Sequence, residues 1–193
     1  AIEFLEVEPI AMAEEHLKLR WPSRLGKTHL FIMIDTYAEE ELDGLSQMIG
    51  DTCIDNGAIN VFIADTAAKQ AEVLTIRSRL YDVIKPGTVE VLDVSLPRAE
   101  VAGHVARVRE ISEKYDIWLP TFGHAADGNV HTHIMKARFK DGTMDQVPEA
   151  EWKPKVEAVR EEIFADCRAR GGVISGEHGI GLLKKQFLHH SLG

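Results

Sequence analysis

The chain has 193 residues, 45% of them hydrophobic and 27% charged, which suits one large domain with room for a full core. Its 31 acidic residues against 22 basic ones give a net charge of -9, which argues against nucleic acid or an anionic membrane surface as partner. The longest apolar runs, such as residues 30–34, fall far short of the ~20 residues of a membrane helix, and no charged leader with a cleavage pattern opens the chain, so a soluble, cytoplasmic protein is expected.

In chain order, residues 1–8 read as a short strand and 10–19 as a helix ended by Trp21-Pro22. Residues 29–36 (HLFIMIDT) form a predicted buried strand, 38–55 an acidic helix and 59–64 a second strand. A helix over 67–84 stops at Lys85-Pro86-Gly87, residues 88–95 make a third strand, and Pro97 opens a helix to about residue 114. Residues 117–135 read as a hairpin. Residues 136–149 read as a polar loop, 152–170 as a charged amphipathic helix closed by Gly171-Gly172, and 173–181 as a short strand, a glycine-rich turn and the start of a last helix. Cys53 and Cys167 fall in separate helices without a CxxC, so neither a disulfide nor a thiolate metal site is supported. Strands separated by helices, with a hairpin among them, point to an α+β fold: an antiparallel sheet with helices on one face, ferredoxin-like. The competing arrangement is a doubly wound parallel sheet, which the hairpin disfavours in its purely parallel form.

The hairpin carries chemistry. In GHAADGNVHTH (residues 123–133), Asp127-Gly128 reads as a two-residue turn, which places His124 opposite His131 and His133 on the same face. Opposed residues have Cβ atoms roughly 4.5–5.5 Å apart, close enough for two imidazoles to share an ion. A second cluster, GEHG at residues 176–179, sets Glu177 beside His178. If the segment is extended these point opposite ways, one to a metal and one to a substrate. Two histidines and a carboxylate suit zinc with an open position, or iron or manganese. The plainer alternative makes SGEHGIG a tight turn with Glu177 as a cap and His178 solvated. There is no GxGxxG, Walker loop, HExxH or GxSxG elbow.

GHAADGNVH (123–131) and GGVISGEHGIGLLKK (171–185) together resemble the two signatures of the C-terminal domain of FAD-linked oxidases of the vanillyl-alcohol-oxidase type. That group holds D-lactate dehydrogenases, D-2-hydroxyglutarate dehydrogenases and the glycolate oxidase flavin subunit. IEFLE (2–6) and DVSLPR (93–98) are weaker matches in the same order, so the resemblance spans nearly the whole chain. It implies that His124, His131 and Glu177 bind a divalent ion, zinc first, that His178 is the base, that His133 neighbours substrate or metal, and that Arg77 grips the substrate carboxylate. Relatives of the 2-hydroxyglutarate type carry a threonine and a lysine where this chain has Tyr81 and Val91, so a small monocarboxylate such as lactate or glycolate is the expected substrate.

The resemblance further implies an FAD-binding domain ahead of this one and a tail beyond it. The chain therefore reads as a single-domain fragment, inactive alone, working with a flavin domain and an electron-acceptor protein, in the cytoplasm or peripheral to a membrane through that partner. Two other functions fit the same residues: a stand-alone metal hydrolase using His, His and Glu to activate water, and a non-catalytic structural cap.

Overall fold

The sheet grows outward from β1 (Ile2–Glu6), which pairs antiparallel with β2 (Thr28–Ile32) on one side and β4 (Thr121–His124) on the other. β5 (Asn129–Met135) continues it and β3 (Thr88–Ser95) closes it, giving the order β2-β1-β4-β5-β3, antiparallel throughout. The computed structural model describes residues 1–192, and the side chains of all of these except Glu39, Ser191 and Leu192. It is an α+β fold. No helix among the described residues is long and apolar enough to cross a membrane.

Alternation along the strands sorts side chains between two faces. Phe4, Leu92, Val94, Val130 and Ile134 point to one face, where α5 (Val101–Tyr115) and α6 (Glu149–Ala169) lay down Val105, Val108, Ile111, Val159, Ile163 and Phe164. The helical spacing of those residues makes the apolar stripes, and each such fully buried side chain contributes about 1.5–3 kcal/mol. On the opposite face Leu5 and Met135 pack with α1 (Val7–Leu17), α3 (Ala67–Ser78) and α4 (Leu80–Ile84). The other end of that same face carries Glu3, His124, Asn129, His131 and Asp93.

Several expected elements differ. The strand expected over 29–36 is shorter, and as the sheet's edge it is half exposed, with Leu30 at 57%. Residues 59–64 follow α2 (Glu39–Asp55) but form no strand, and Ile59, Phe62 and Ile63 are exposed. An apolar run becomes a strand only where it pairs with an edge, and these residues pair with neither edge strand of the sheet, β2 or β3. The single helix over 67–84 breaks at Arg79 into α3 and α4. The loop over 136–149 holds a hairpin, β6 (Ala137–Lys140) and β7 (Thr143–Gln146), turning at Asp141-Gly142 with φ of 47° and 84°. After α6, Val173 makes only a bridge to Ser95. Positive φ at Gly179 and Gly181 stops a helix from starting there, and apart from a 3-10 turn over Lys185–Phe187 the next helix is α7 (His189–Leu192).

The β4–β5 register also differs. His124 lies opposite Asn129, and Phe122 opposite His131. Asp127 is not left-handed, so the loop spans Ala125 to Gly128, with the N–H groups of Asp127 and Gly128 both donating to the His124 carbonyl at 3.0 Å. This is a slip of two residues from the expected pairing, and two residues is one side-chain period: His124, His131 and His133 keep a common face.

Candidate functional site

One atom from each of His124, His131 and Glu177 lies within 4.8 Å of the other two, a spacing that a single metal ion can bridge. His124 comes from the end of β4 and His131 from the middle of β5, diagonal neighbours whose rings meet edge-on at 5.5 Å. Glu177 arrives from the glycine-rich turn, with Oε1 3.2 Å from His131 Nε2. His178 does not point away from Glu177. Its ring stacks on His131 at 5.1 Å, and its Nε2 is 3.6 Å from Glu177 Oε1. The backbone there is a turn, so the alternation of an extended segment does not apply.

Two further carboxylates surround this group. Glu3, on β1, accepts from His124 Nδ1 at 2.8 Å and from Arg77 at 2.6 Å. Burial pushes the Glu3 carboxyl up, but hydrogen bonds from Arg77 and His124 outweigh it and hold the pKa below the ordinary value. Asp93, on β3, is fully buried. Its Oδ2 accepts the backbone N–H groups of Gly176, Glu177 and His178 at 3.0, 3.0 and 2.8 Å. Burial raises its pKa too, and is overcome by those N–H groups together with the Lys184 ammonium, so the carboxyl titrates low. His131 is pushed below the usual imidazole value, chiefly by burial, with Asp93 pulling the other way. A neutral imidazole is the form a metal takes.

The family described as FAD linked oxidases, C-terminal domain, matches residues 1–193. The chain belongs to that family. It is similar to a D-lactate dehydrogenase of Archaeoglobus fulgidus, 35% identical over 95% of this chain and 38% of that protein. It is also similar to a D-lactate dehydrogenase of Anaerostipes hadrus, 31% identical over all of this chain and 40% of that protein. The glycolate oxidase subunit GlcD of Bacillus subtilis is 31% identical over 99% of this chain and 39% of its own length. The chain thus spans about two fifths of these relatives.

In this FAD-linked oxidase domain, Arg77 stands one carboxylate away from the histidines, through Glu3, with its side chain 35% exposed. His133 is buried between the rings of Phe122, at 4.7 Å, and Tyr81, at 5.6 Å, and neither ring nitrogen has a hydrogen-bond partner. Burial first, then repulsion from His131 and His178, brings its pKa down to about 3, so it is neutral. A cleft of about 380 Å³ opens beside His178, walled by Tyr81, Val91, Leu182 and Leu183. Arg77 and His133 are not in its wall. Sequence reasoning missed Glu3 and Asp93. The available signal was a carboxylate inside each of two apolar strands, IEFLE and TVEVLDVS, where an ionised group needs a partner.

Proposed function

We propose that this domain holds the metal and substrate of an FAD-dependent 2-hydroxy acid dehydrogenase or oxidase of the D-lactate or glycolate type. The observation that carries the reading is the convergence of His124, His131 and Glu177 within 4.8 Å. The donor set fits a divalent ion: two imidazoles, one of them kept neutral by burial, and a carboxylate, with room for substrate oxygens. When bound, zinc (or iron or manganese) supplies Lewis acidity toward the 2-hydroxyl, and FAD, held mainly by a region outside these residues, supplies the acceptor for hydride from C2, giving a 2-oxo acid.

The residues of this chain do the rest. His178, half exposed at the rim of the cleft, takes the hydroxyl proton on Nε2. Arg77 uses only part of its donor fork on Glu3 and turns the remainder to the substrate carboxylate. His133 acts from behind Tyr81, holding that wall of the cleft in place beside the substrate. The cleft wall favours a monocarboxylate, because the one lysine in it, Lys184, is already committed to the Asp93 carbonyl at 3.0 Å. Electrons then leave for an acceptor protein, in the cytoplasm or at the periphery of a membrane.

Elemental analysis of wild type against His124→Ala with His131→Ala tests the metal. About one ion per chain is expected to disappear in the double variant. The comparison is needed because Glu161, His189 and His190 also lie within ligating distance of one another. In the flavin-loaded enzyme, His178→Ala is expected to lower turnover by about 10²–10⁴-fold with flavin and metal retained. Near-normal turnover would remove His178 from its role.

A further inference from the structure

We propose that Asp93 is a positioning residue that serves both halves of the site: one carboxylate oxygen fixes the turn carrying Glu177 and His178, and the other sets the tautomer of His131. The proposal rests on the metal-site reading above and assigns that site an outer shell.

Three successive backbone N–H groups converge on Asp93 Oδ2, the concave arrangement that elsewhere in proteins receives an external anion. Here the anion is the chain's own. Ser175 Oγ approaches the same oxygen at 3.4 Å. The turn sits so close that only glycine fits at 176, where a Cβ would lie 2.8 Å from Asp93 Oδ1 and 2.6 Å from Asn129 Oδ1. Lys184 Nζ, 3.7 Å from Oδ2 and itself buried, supplies the compensating charge. Glu177 and His178, both half exposed, are therefore placed through their backbone by a carboxylate 84 and 85 residues earlier in the chain.

The second oxygen tells of the other half. Asp93 Oδ1 and His131 Nδ1 are both buried without a hydrogen-bond partner, and they stand 3.7 Å apart. Unpaired buried polar atoms are rare because each costs about 1–3 kcal/mol, and two that face each other as donor and acceptor define a bond one small ring rotation from forming. A proton on Nδ1 directed at Asp93 leaves the Nε2 lone pair free for an ion shared with Glu177, whose Oε1 is 3.2 Å away. His124 already has the equivalent arrangement, with Nδ1 on Glu3 at 2.8 Å. Both histidines thus have a carboxylate behind them, the pattern that fixes ring orientation and raises ligand basicity at metal centres.

Asp93→Asn separates the two tasks. Its amide oxygen can still accept the three N–H groups, but its NH₂ then meets His131 Nδ1, which must become the acceptor, and the ring proton moves to Nε2. Long-range ¹H–¹⁵N correlation spectra of the metal-free protein, near neutral pH and in a Glu177→Ala background that removes the carboxylate 3.2 Å from Nε2, are expected to show the Nδ1–H form of His131 with Asp93 present and the Nε2–H form in Asp93→Asn. Zinc affinity, measured by competition with a chromophoric chelator, is expected to fall about 10–100-fold. Asp93→Ala, which leaves all three N–H groups without an acceptor, is expected to speed amide exchange at Gly176, Glu177 and His178 relative to both. An unchanged His131 tautomer in Asp93→Asn would overturn the orienting role, and unchanged exchange in Asp93→Ala the latching role. Should Asp93→Ala not fold, Asp93→Asn still decides the first. Wild-type protein that binds no zinc would sink the metal reading alone, since the tautomer comparison is made without metal.

Discussion

Gly128 shows how much of the site depends on one residue. It has φ of 79°, and a Cβ there would lie 2.0 Å from the Leu96 carbonyl oxygen, while its own carbonyl accepts the Leu96 N–H at 2.9 Å. Gly142 has nearly the same φ, 84°, with nothing within 4 Å of the place a Cβ would take. Gly142→Ala is therefore expected to lose only the left-handed penalty, about 1–2 kcal/mol. Gly128→Ala must also push the turn off the strand end, for about 2–4 kcal/mol in all. Urea unfolding of both variants checks this, and equal losses would mean that the Leu96 contact contributes nothing. The site was legible at this scale where its residues lie in compact motifs: His124, His131, Glu177 and His178 come from two short stretches, and the structure brings them together. Glu3 and Asp93 were not, because their partners are 121 and 83 to 85 residues away and only the folded sheet pairs them.

Among the elements, two Asp-Gly pairs carry the same local signal and behave differently. Asp141-Gly142 makes the two-residue turn, both φ positive, with Lys140 paired to Thr143. Asp127-Gly128 does not, because Gly128 is bonded to Leu96 and the loop is longer by two. Tertiary contact decided between them, which no local reading sees. The same holds for residues 59–64, apolar enough for a strand yet paired with neither edge of the sheet. α2 shares that condition: none of its described side chains is buried, and Leu42, Met48 and Ile54 are exposed. Helical hydrogen bonds without tertiary packing open easily. Amide exchange followed by mass spectrometry is expected to be fastest in α2 among the long helices, at least about 10-fold faster than in α5 and α6, which seal the core. Equal protection would show that α2 packs against something through its exposed apolar side chains.

For the molecule as a whole, acid sensitivity comes from the seam between α5 and α6. His104 is fully buried there, its Nδ1 2.7 Å from Asp166 Oδ2, an oxygen that also accepts from Arg170 Nε at 2.8 Å. Burial lowers the His104 pKa more than Asp166 raises it, so the folded protein holds this imidazole neutral below the ordinary value of 6.5. The unfolded chain takes up the proton first. Its contribution is therefore intact above about pH 6.5 and is lost as pH falls from there through the lower folded value, with a slope of up to about 1.4 kcal/mol per pH unit. Glu3 and Asp93 titrate below the usual carboxylate range, so what they contribute is lost only at lower pH, as it falls through their depressed values. His131 and His133, also lowered, act in the same window as His104 and leave a residual slope without it. Urea midpoints at pH 7, 6 and 5 are thus expected to decline more steeply for wild type than for His104→Gln, with the two curves diverging from pH 7 downward before Glu3 and Asp93 begin to titrate. Parallel curves would mean that burial and Asp166 cancel and leave the His104 pKa unshifted on folding, and a shallower decline in wild type that Asp166, rather than burial, governs it.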